Sequence, residues 1–339
     1  MKNNIKILFF GLGSIGQRHL INLYGILGKK VDFYAYRSRK RKLTMNTTVE
    51  KKTVDVIKKY KIKIIKDINK IEYENIDIIF ITNPSSLHLN TALSLKNLKN
   101  KYIFIEKPLD ASLASYQKFN KLINKNKLKI FVGYNLRFHQ CVKKVQKILH
   151  ENKLGKIYQS TFVYGDNLRN WHKDEDYRTG YAANKKLGGG IVLSSIHEFD
   201  LMLALFRNAK IIKSYNDHLS NLIINVEDFS VSVFKNNFLG SKIVSIISLN
   251  FFQINKERYI KIICEKGEIL ADLINFHVFI KTKNKTEKFS YKKNNNLMYQ
   301  DEVKFFLKVF KDKKIFTNEC NHINALKSLK LALKVKSNH

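Results

Sequence analysis

Short apolar runs separated by longer segments of helical spacing organise the first third of the chain. Lys6 to Phe10 is a run of this kind and leads directly into Gly11-Leu12-Gly13-Ser14-Ile15-Gly16, after which Ile15, Leu20, Leu23 and Leu27 recur at near-helical intervals. That pattern predicts a strand, a tight turn and a helix. Further apolar runs follow at Val31 to Tyr36, Ile62 to Ile65, Ile76 to Thr82, Tyr102 to Ile105 and Ile130 to Tyr134. Nearly continuous apolar strands that alternate with helices indicate a parallel sheet covered on both faces. The expected first domain, residues 1–133, is therefore a doubly wound dinucleotide-binding Rossmann unit.

Beyond a predicted helix from Phe138 to His150 the pattern changes. Ile157 to Tyr164 is followed by a polar aromatic loop, one helix predicted from Ile191 to Phe206, and β-rich segments at 211–218, 226–235, 241–252, 258–264, 268–272, 276–281 and 285–291. Several alternate apolar with polar residues, as Ser230-Val231-Ser232-Val233-Phe234 does, which suits an antiparallel sheet with one buried face. Met298 to Phe310 and His322 to Val335 read as amphipathic helices, free to pack back on the first domain. The predicted fold class is α/β: an N-terminal Rossmann sheet plus a C-terminal α+β domain, residues 134–339, with a large, mostly antiparallel sheet for substrate binding and oligomerisation.

Composition narrows this picture. With 339 residues and 44% hydrophobic content, the chain can bury two ordinary cores. No run approaches the roughly 18 apolar residues of a membrane span, and Ile5 to Phe10 is too short for the core of a secretory signal, about 7 to 15 residues. A soluble, cytoplasmic protein with no membrane partner is expected. Cys141, Cys264 and Cys320 form no CxxC pair, and no HxxxH spacing occurs, so neither a disulfide framework nor a metal site is expected. The net charge of +34 is the feature that could point to nucleic acid. Its lysines recur along nearly every predicted element and travel with Asn and Ile, as an AT-rich coding bias would leave them. No nucleic-acid partner is expected.

The densest basic cluster, Arg37 to Lys42, lies where a cofactor phosphate could sit. In GLGSIG the three glycines serve a tight turn, close approach to a pyrophosphate, and close packing of helix on strand, while the helix offers free N–H groups. Gly11, Gly13, Ser14, Ile15 and Gly16 are thus candidate cofactor contacts. NAD-specific sites place an acid at the end of the second strand; here Arg37, Ser38 and Arg39 stand there, donors suited to a 2′-phosphate, so NADP is preferred over NAD. The chain's only prolines, Pro84 and Pro108, each fall within three residues of a predicted strand's C-terminal end, the edge at which such sheets bind ligands. Asn83, Pro84, His88, Glu106, Lys107 and Pro108 join the candidate cofactor contacts.

Glu106-Lys107-Pro108, taken with GLGSIG upstream and with Gly188-Gly189-Gly190 and His197-Glu198-Phe199-Asp200 downstream, resembles the Gfo/Idh/MocA oxidoreductase family across essentially the whole chain. The loop from Trp171 to Arg178 looks like that of a bacterial subgroup linked to surface-sugar clusters, nonulosonic acids included. The resemblance implies that Lys107 lies near the nicotinamide and the reacting hydroxyl, that a cis bond precedes Pro108, and that His197 is the acid/base. Lysine would stabilise an alkoxide and imidazole would take its proton. Many relatives carry an aspartate three or four residues before the histidine. This chain has Leu193 and Ser194 there, leaving Ser194 or Asp200 to orient the ring. Candidate substrate contacts are Lys107, Tyr134, Asn135, Arg137, Trp171, Tyr177, Arg178 and His197, with His172 beside them; Arg137 or Arg178 would pair a carboxylate or phosphate. His139 and His150 read as structural. The expected function is NAD(P)-dependent interconversion of a secondary alcohol and a ketone on a sugar, nucleotide-linked or acidic, by a homodimer or homotetramer. Alternatives are a non-catalytic dinucleotide-binding regulator and a reductase of an imine or linear tetrapyrrole.

Overall fold

A computed structural model describes residues 4–36, 44–46, 53–171, 176–316 and 320–337. The chain divides into two compact units, Met1–Gly133 with Tyr299–His322, and Tyr134–Met298 with Ile323–His339.

In the first unit β1 (Ile5–Phe10) runs into α1 (Ser14–Leu27) and β2 (Val31–Tyr36). A small hairpin of β3 (Thr44–Asn46) and β4 (Thr53–Asp55) and a single turn, α2 (Val56–Lys59), precede β5 (Lys63–Ile65). There follow β6 (Ile78–Ile81), α3 (His88–Ser94), β7 (Tyr102–Glu106), α4 (Tyr116–Asn126) and β8 (Lys129–Gly133). Among the described residues the main sheet is parallel with strand order β5-β2-β1-β6-β7-β8. Its register explains its core. Phe9 pairs with Phe80, Phe80 with Phe104, and Phe104 with Phe131. Their rings stack at centroid spacings of 4.9, 4.6 and 5.1 Å. Phe306, on the helix Leu297–Lys311, meets Phe80, Phe104 and Phe131 edge-on at 5.6–5.7 Å. Burial of each such ring contributes about 1.5–3 kcal/mol, and edge and stacked pairs add about 0.5–1.5.

The second unit starts with α5 (Gln140–Glu151) and β9 (Ile157–Asn167). The single helix expected from Ile191 to Phe206 is two: α6 (Ile191–Ser194) and α7 (His197–Phe206), in a segment that bends by 46°. Periodicity does not show the break because Ile191, Val192, Leu193, Ile196 and Phe199 are all buried. Antiparallel strands then follow: β10 (Ala209–Asp217), β11 (Phe229–Phe238), β12 (Ser241–Asn250), β13 (Phe252–Cys264), β14 (Gly267–Asp272), β15 (His277–Lys281) and β16 (Thr286–Ser290). The sheet order is β10-β11-β12-β9-β13-β14-β15-β16, and its parallel pair is β12 with β9. One face buries Phe162, Phe234, Ile247, Ile260 and Ile262. The helix His322–Ser337 also belongs to this unit, apart from its first residue.

Candidate functional site

In the first unit the C-terminal edge of the parallel sheet gathers most of the predicted cofactor residues. β1 ends at Gly11, whose φ of +99° only glycine adopts without strain, and a Cβ there would lie 2.6 Å from the Asn83 nitrogen. Gly16 is equally confined: a Cβ would strike the Gly11 carbonyl and sit 2.8 Å from Thr82 Oγ1. Gly13 differs, because nothing among the described residues lies within 4 Å of a Cβ built on it. It is the residue before α1, no side chain caps that helix, and its first turn holds no acid. The open N–H groups and positive dipole end therefore fit an anion such as a pyrophosphate. Ser14 is exposed beside it and Ile15 half-buried. Arg37, Ser38 and Arg39 lie outside the described residues, as does His172.

After β6, Asn83 donates Nδ2–H to Thr91 Oγ1 at 2.7 Å, and Pro84 opens the next turn. His88, predicted to contact cofactor, is instead a brace. It is 1% exposed, with Nδ1 2.8 Å from the Pro108 carbonyl and Nε2 2.9 Å from the Asn83 carbonyl. Burial lowers its pKa, so the neutral ring donates to one carbonyl at a time and ties the loop after β6 to the loop after β7. Glu106 ends β7 with its carboxylate turned inward: Oε1 accepts from His19 Nε2 at 2.5 Å, and Oε2 accepts the Lys107 N–H at 3.1 Å. Lys107 itself is half-exposed, and the bond to the buried Pro108 is cis. Asp110, just beyond, is buried and its pKa is pushed up to about 6 by desolvation.

In the second unit His197 is the first residue of α7 and is buried, with the Tyr134 ring edge-on at 5.8 Å. Arg137 and Asp200 meet in a buried fork, Nε to Oδ2 and Nη2 to Oδ1 both at 2.7 Å, and Ser328 Oγ adds a bond to Asp200 at 3.2 Å. This alters two expectations. Asp200 is committed to Arg137 and Ser328 rather than to the His197 ring, and the Arg137 guanidinium already has a carboxylate. Ser194 closes α6, buried. Tyr134 and Asn135 are buried with Arg137. The aromatic loop makes different contacts. Trp171 meets Phe251 edge-on at 5.2 Å, Tyr177 Oη accepts the Ile223 N–H at 3.2 Å, and Arg178 pairs with Asp176 at 2.7 Å in the open.

The triple glycine makes room for the unit's own groups. A Cβ on Gly189 would strike the Tyr181 and Ala182 carbonyls, and one on Gly190, at φ +101°, would strike the Glu227 carboxylate. Lys336 Nζ completes this corner, 3.0 Å from both Glu227 Oε2 and the Gly189 carbonyl. Sequence reasoning missed His19, the Glu198–Arg258 pair at 2.8 Å and the Glu227–Lys336 pair. For His19 there is a local signal, a histidine three residues past the last glycine of the turn. For the ion pairs there is none, since their partners are 60 and 109 residues apart in sequence.

A parallel sheet whose C-terminal edge carries an open, uncapped glycine turn has the geometry that fits a dinucleotide at that edge. Residues 5–134, less than half of the chain, match the profile of the "Oxidoreductase family, NAD-binding Rossmann fold". Among curated relatives, myo-inositol 2-dehydrogenase of Thermotoga maritima is 28% identical over 202 residues, 58% of this chain and 53% of that protein. Inositol 2-dehydrogenase of Salmonella typhimurium is 26% identical over 231 residues, 66% and 61% of the two chains. The matched stretch thus spans little more than half the length of these relatives. Among solved structures, the WlbA dehydrogenase of Bordetella pertussis, in complex with NADH and UDP-GlcNAcA, superposes with a TM-score of 0.73 at 17% identity, covering 98% of this chain and 96% of that one. It shares the fold.

Proposed function

We propose that the protein is an NAD(P)-dependent dehydrogenase or reductase that interconverts a secondary alcohol and a ketone on a sugar or sugar derivative, in surface-polysaccharide synthesis. One observation carries this reading. The open glycine turn after β1 and Lys107 after β7 stand on the same edge of one sheet, two strands apart, about 10 Å at the usual strand spacing, a span that a dinucleotide covers. The glycine turn would hold the dinucleotide, which would supply the hydride chemistry at this edge. Lys107 stabilises the developing alkoxide, and His197 exchanges its proton. The Arg137–Asp200 fork, beside Tyr134, fixes the element that begins at His197. Trp171, Tyr177 and Arg178 are the proposed sugar contacts, a use that for Arg178 requires it to leave Asp176. The inositol and sugar dehydrogenases among the relatives support this substrate class.

The test is a cofactor-reduction screen with NAD and NADP against myo-inositol, free hexoses, UDP-linked N-acetylated sugars and uronates, and nonulosonic acids. Turnover on any of these that falls by about 10²–10⁴ in both Lys107→Met and His197→Asn supports the assignment; turnover retained in both variants sinks it. Arg37, Ser38 and Arg39 make NADP the preferred cofactor, and tighter binding of NADH in fluorescence titration would reverse that preference. We further propose a homodimer or homotetramer paired through the sheet face carrying the half-exposed Val163, Val231, Val233, Ile246 and Ile263. Light scattering that gives a clean monomer would exclude it.

A further inference from the structure

Besides Glu106 and Asp110, the first unit buries a carboxyl on its C-terminal helix that the reaction above does not use. Glu302 lies on the helix Leu297–Lys311, is 0% exposed, and neither of its oxygens has a hydrogen-bond partner among the described residues. Tyr299 and Phe306 flank it at i−3 and i+4 and so share its face of the helix. The ring of Tyr299 lies 6.1 Å from that of His19, and the ring of Phe306 packs on Phe80 and Phe104. His19 in turn packs on the same Phe80 and Phe104 at 5.8 and 4.7 Å. Glu302 thus sits in the layer that holds the His19–Glu106 pair.

The two carboxyls meet opposite conditions. Glu106 accepts the His19 Nε2–H and the Lys107 N–H, which suits an anion. Glu302 has neither donor. Among the described residues the titratable groups that interact with it are Glu106 from β7 and Tyr299 from its own helix, and Arg18 of α1 is taken up over the Tyr299 ring at 4.6 Å. Desolvation first, and the Glu106 charge second, raise the Glu302 pKa well above the usual carboxyl range.

We propose that Glu302 and His19 are positioning residues for the turn that carries Lys107: Glu302 is held as the neutral acid, so that Glu106 keeps a single imidazole-bound charge and fixes the Lys107 peptide. Ionisation of Glu302 sets a second, donorless negative charge beside Glu106 and loosens that turn. What the turn serves rests on the reading of Lys107 given above; the protonation arrangement does not.

The test uses the full chain and the variants Glu302→Gln and His19→Asn. Infrared difference spectra, wild type minus Glu302→Gln, are expected to show a protonated-carboxyl C=O band at pH 7 that disappears on alkaline titration. Absence of the band at pH 7 overturns the proposal. Acetylation of Lys107 by acetic anhydride, read by peptide mass spectrometry against the exposed Lys125, should accelerate in the wild type as the band disappears and track Lys125 throughout in Glu302→Gln. Identical curves in the two proteins overturn it. His19→Asn should raise Lys107 labelling several-fold at pH 7, and an unchanged rate removes His19 from the role. Glu302→Met gives the same subtraction if Glu302→Gln folds poorly. Since no arm uses cofactor or substrate, a failed sugar screen leaves these outcomes readable.

Discussion

The two units each start a helix from a glycine-rich turn, and the two starts are built for opposite ends. Before α1, among the described residues, Gly13 faces open space, no side chain caps the helix, and the first turn holds no acid. Before α6 and α7, the space beside Gly189 and Gly190 is filled by the Tyr181 and Ala182 carbonyls and the Glu227 carboxylate, and the first turn of α7 carries Glu198 and Asp200. A helix start leaves N–H groups and a positive dipole end that some negative group must meet. At α6 the second unit meets that need with its own Glu227, whose Oε1 accepts the Val192 N–H at 3.4 Å, and α7 places Glu198 and Asp200 in its first turn. The first leaves it for a ligand. Glycine alone therefore does not mark a ligand loop: the fate of the room it leaves does, and only the folded chain shows that.

If the second unit's starts are internally closed, removing one of its own acids should unfold it. Asp200→Ala takes both carboxylate bonds from the buried Arg137 charge, and a stability loss of about 3–5 kcal/mol is expected from urea unfolding. A loss under 1 kcal/mol would mean that Arg137 finds solvent or another partner, and that the closure is not energetic. Next in size is a pH effect at α5, which is closed by a histidine: His139 Nδ1 accepts the Cys141 N–H. Burial lowers the His139 pKa to about 4 from the usual 6.5. The unfolded chain takes up the proton first as pH falls, so this contribution is full above 6.5 and lost between 6.5 and 4, by up to about 3 kcal/mol. His139→Asn keeps a capping side chain without the titration. Its urea midpoint should exceed that of the wild type at pH 4.5 more than at pH 7; parallel pH curves would refute the closure at α5.

What could be read in the sequence follows the same division. β1, β6, β7 and β8 are apolar on both faces and lie within three residues of a glycine or proline at their C-terminal ends, so they, the apolar run of β2 and the turn at Gly11 to Gly16 stand out along the chain itself. The alternation in β11 and β13 likewise reports a sheet with one covered face. Side-chain partnerships across long separations are invisible in this way. Arg137 reads as an anion site until Asp200 is seen to hold it, and His88 reads as a cofactor contact until two carbonyls are found on its ring. The break at Ser195 and Ile196 escapes because a segment buried all round has no periodicity to lose. His19 was legible in place but not in purpose, because Glu106 is 87 residues away.

Smaller effects separate the two glycine turns directly. Gly190→Ala forces a Cβ onto a φ of +101° and against Glu227, and a loss of about 1–3 kcal/mol in stability is expected, partly recovered in the double variant with Glu227→Ala. Equal stability in wild type and Gly190→Ala would show that the corner yields freely.

Gly13→Ala should do the reverse. The Gly13 backbone is extended, at φ −68° and ψ −171°, so alanine adopts it without strain, and among the described residues no atom lies within 4 Å of the added methyl. The melting temperature should therefore stay at the wild-type value. That same empty space is where the proposed pyrophosphate approaches the backbone, so the methyl group should weaken NADPH and NADH together, by about tenfold, or 1.4 kcal/mol, in fluorescence titration. Weakening of one dinucleotide alone would place the effect at the ribose phosphate instead of the pyrophosphate. If the variant melts lower and binds normally, the open start of α1 serves folding and the contrast with α7 fails.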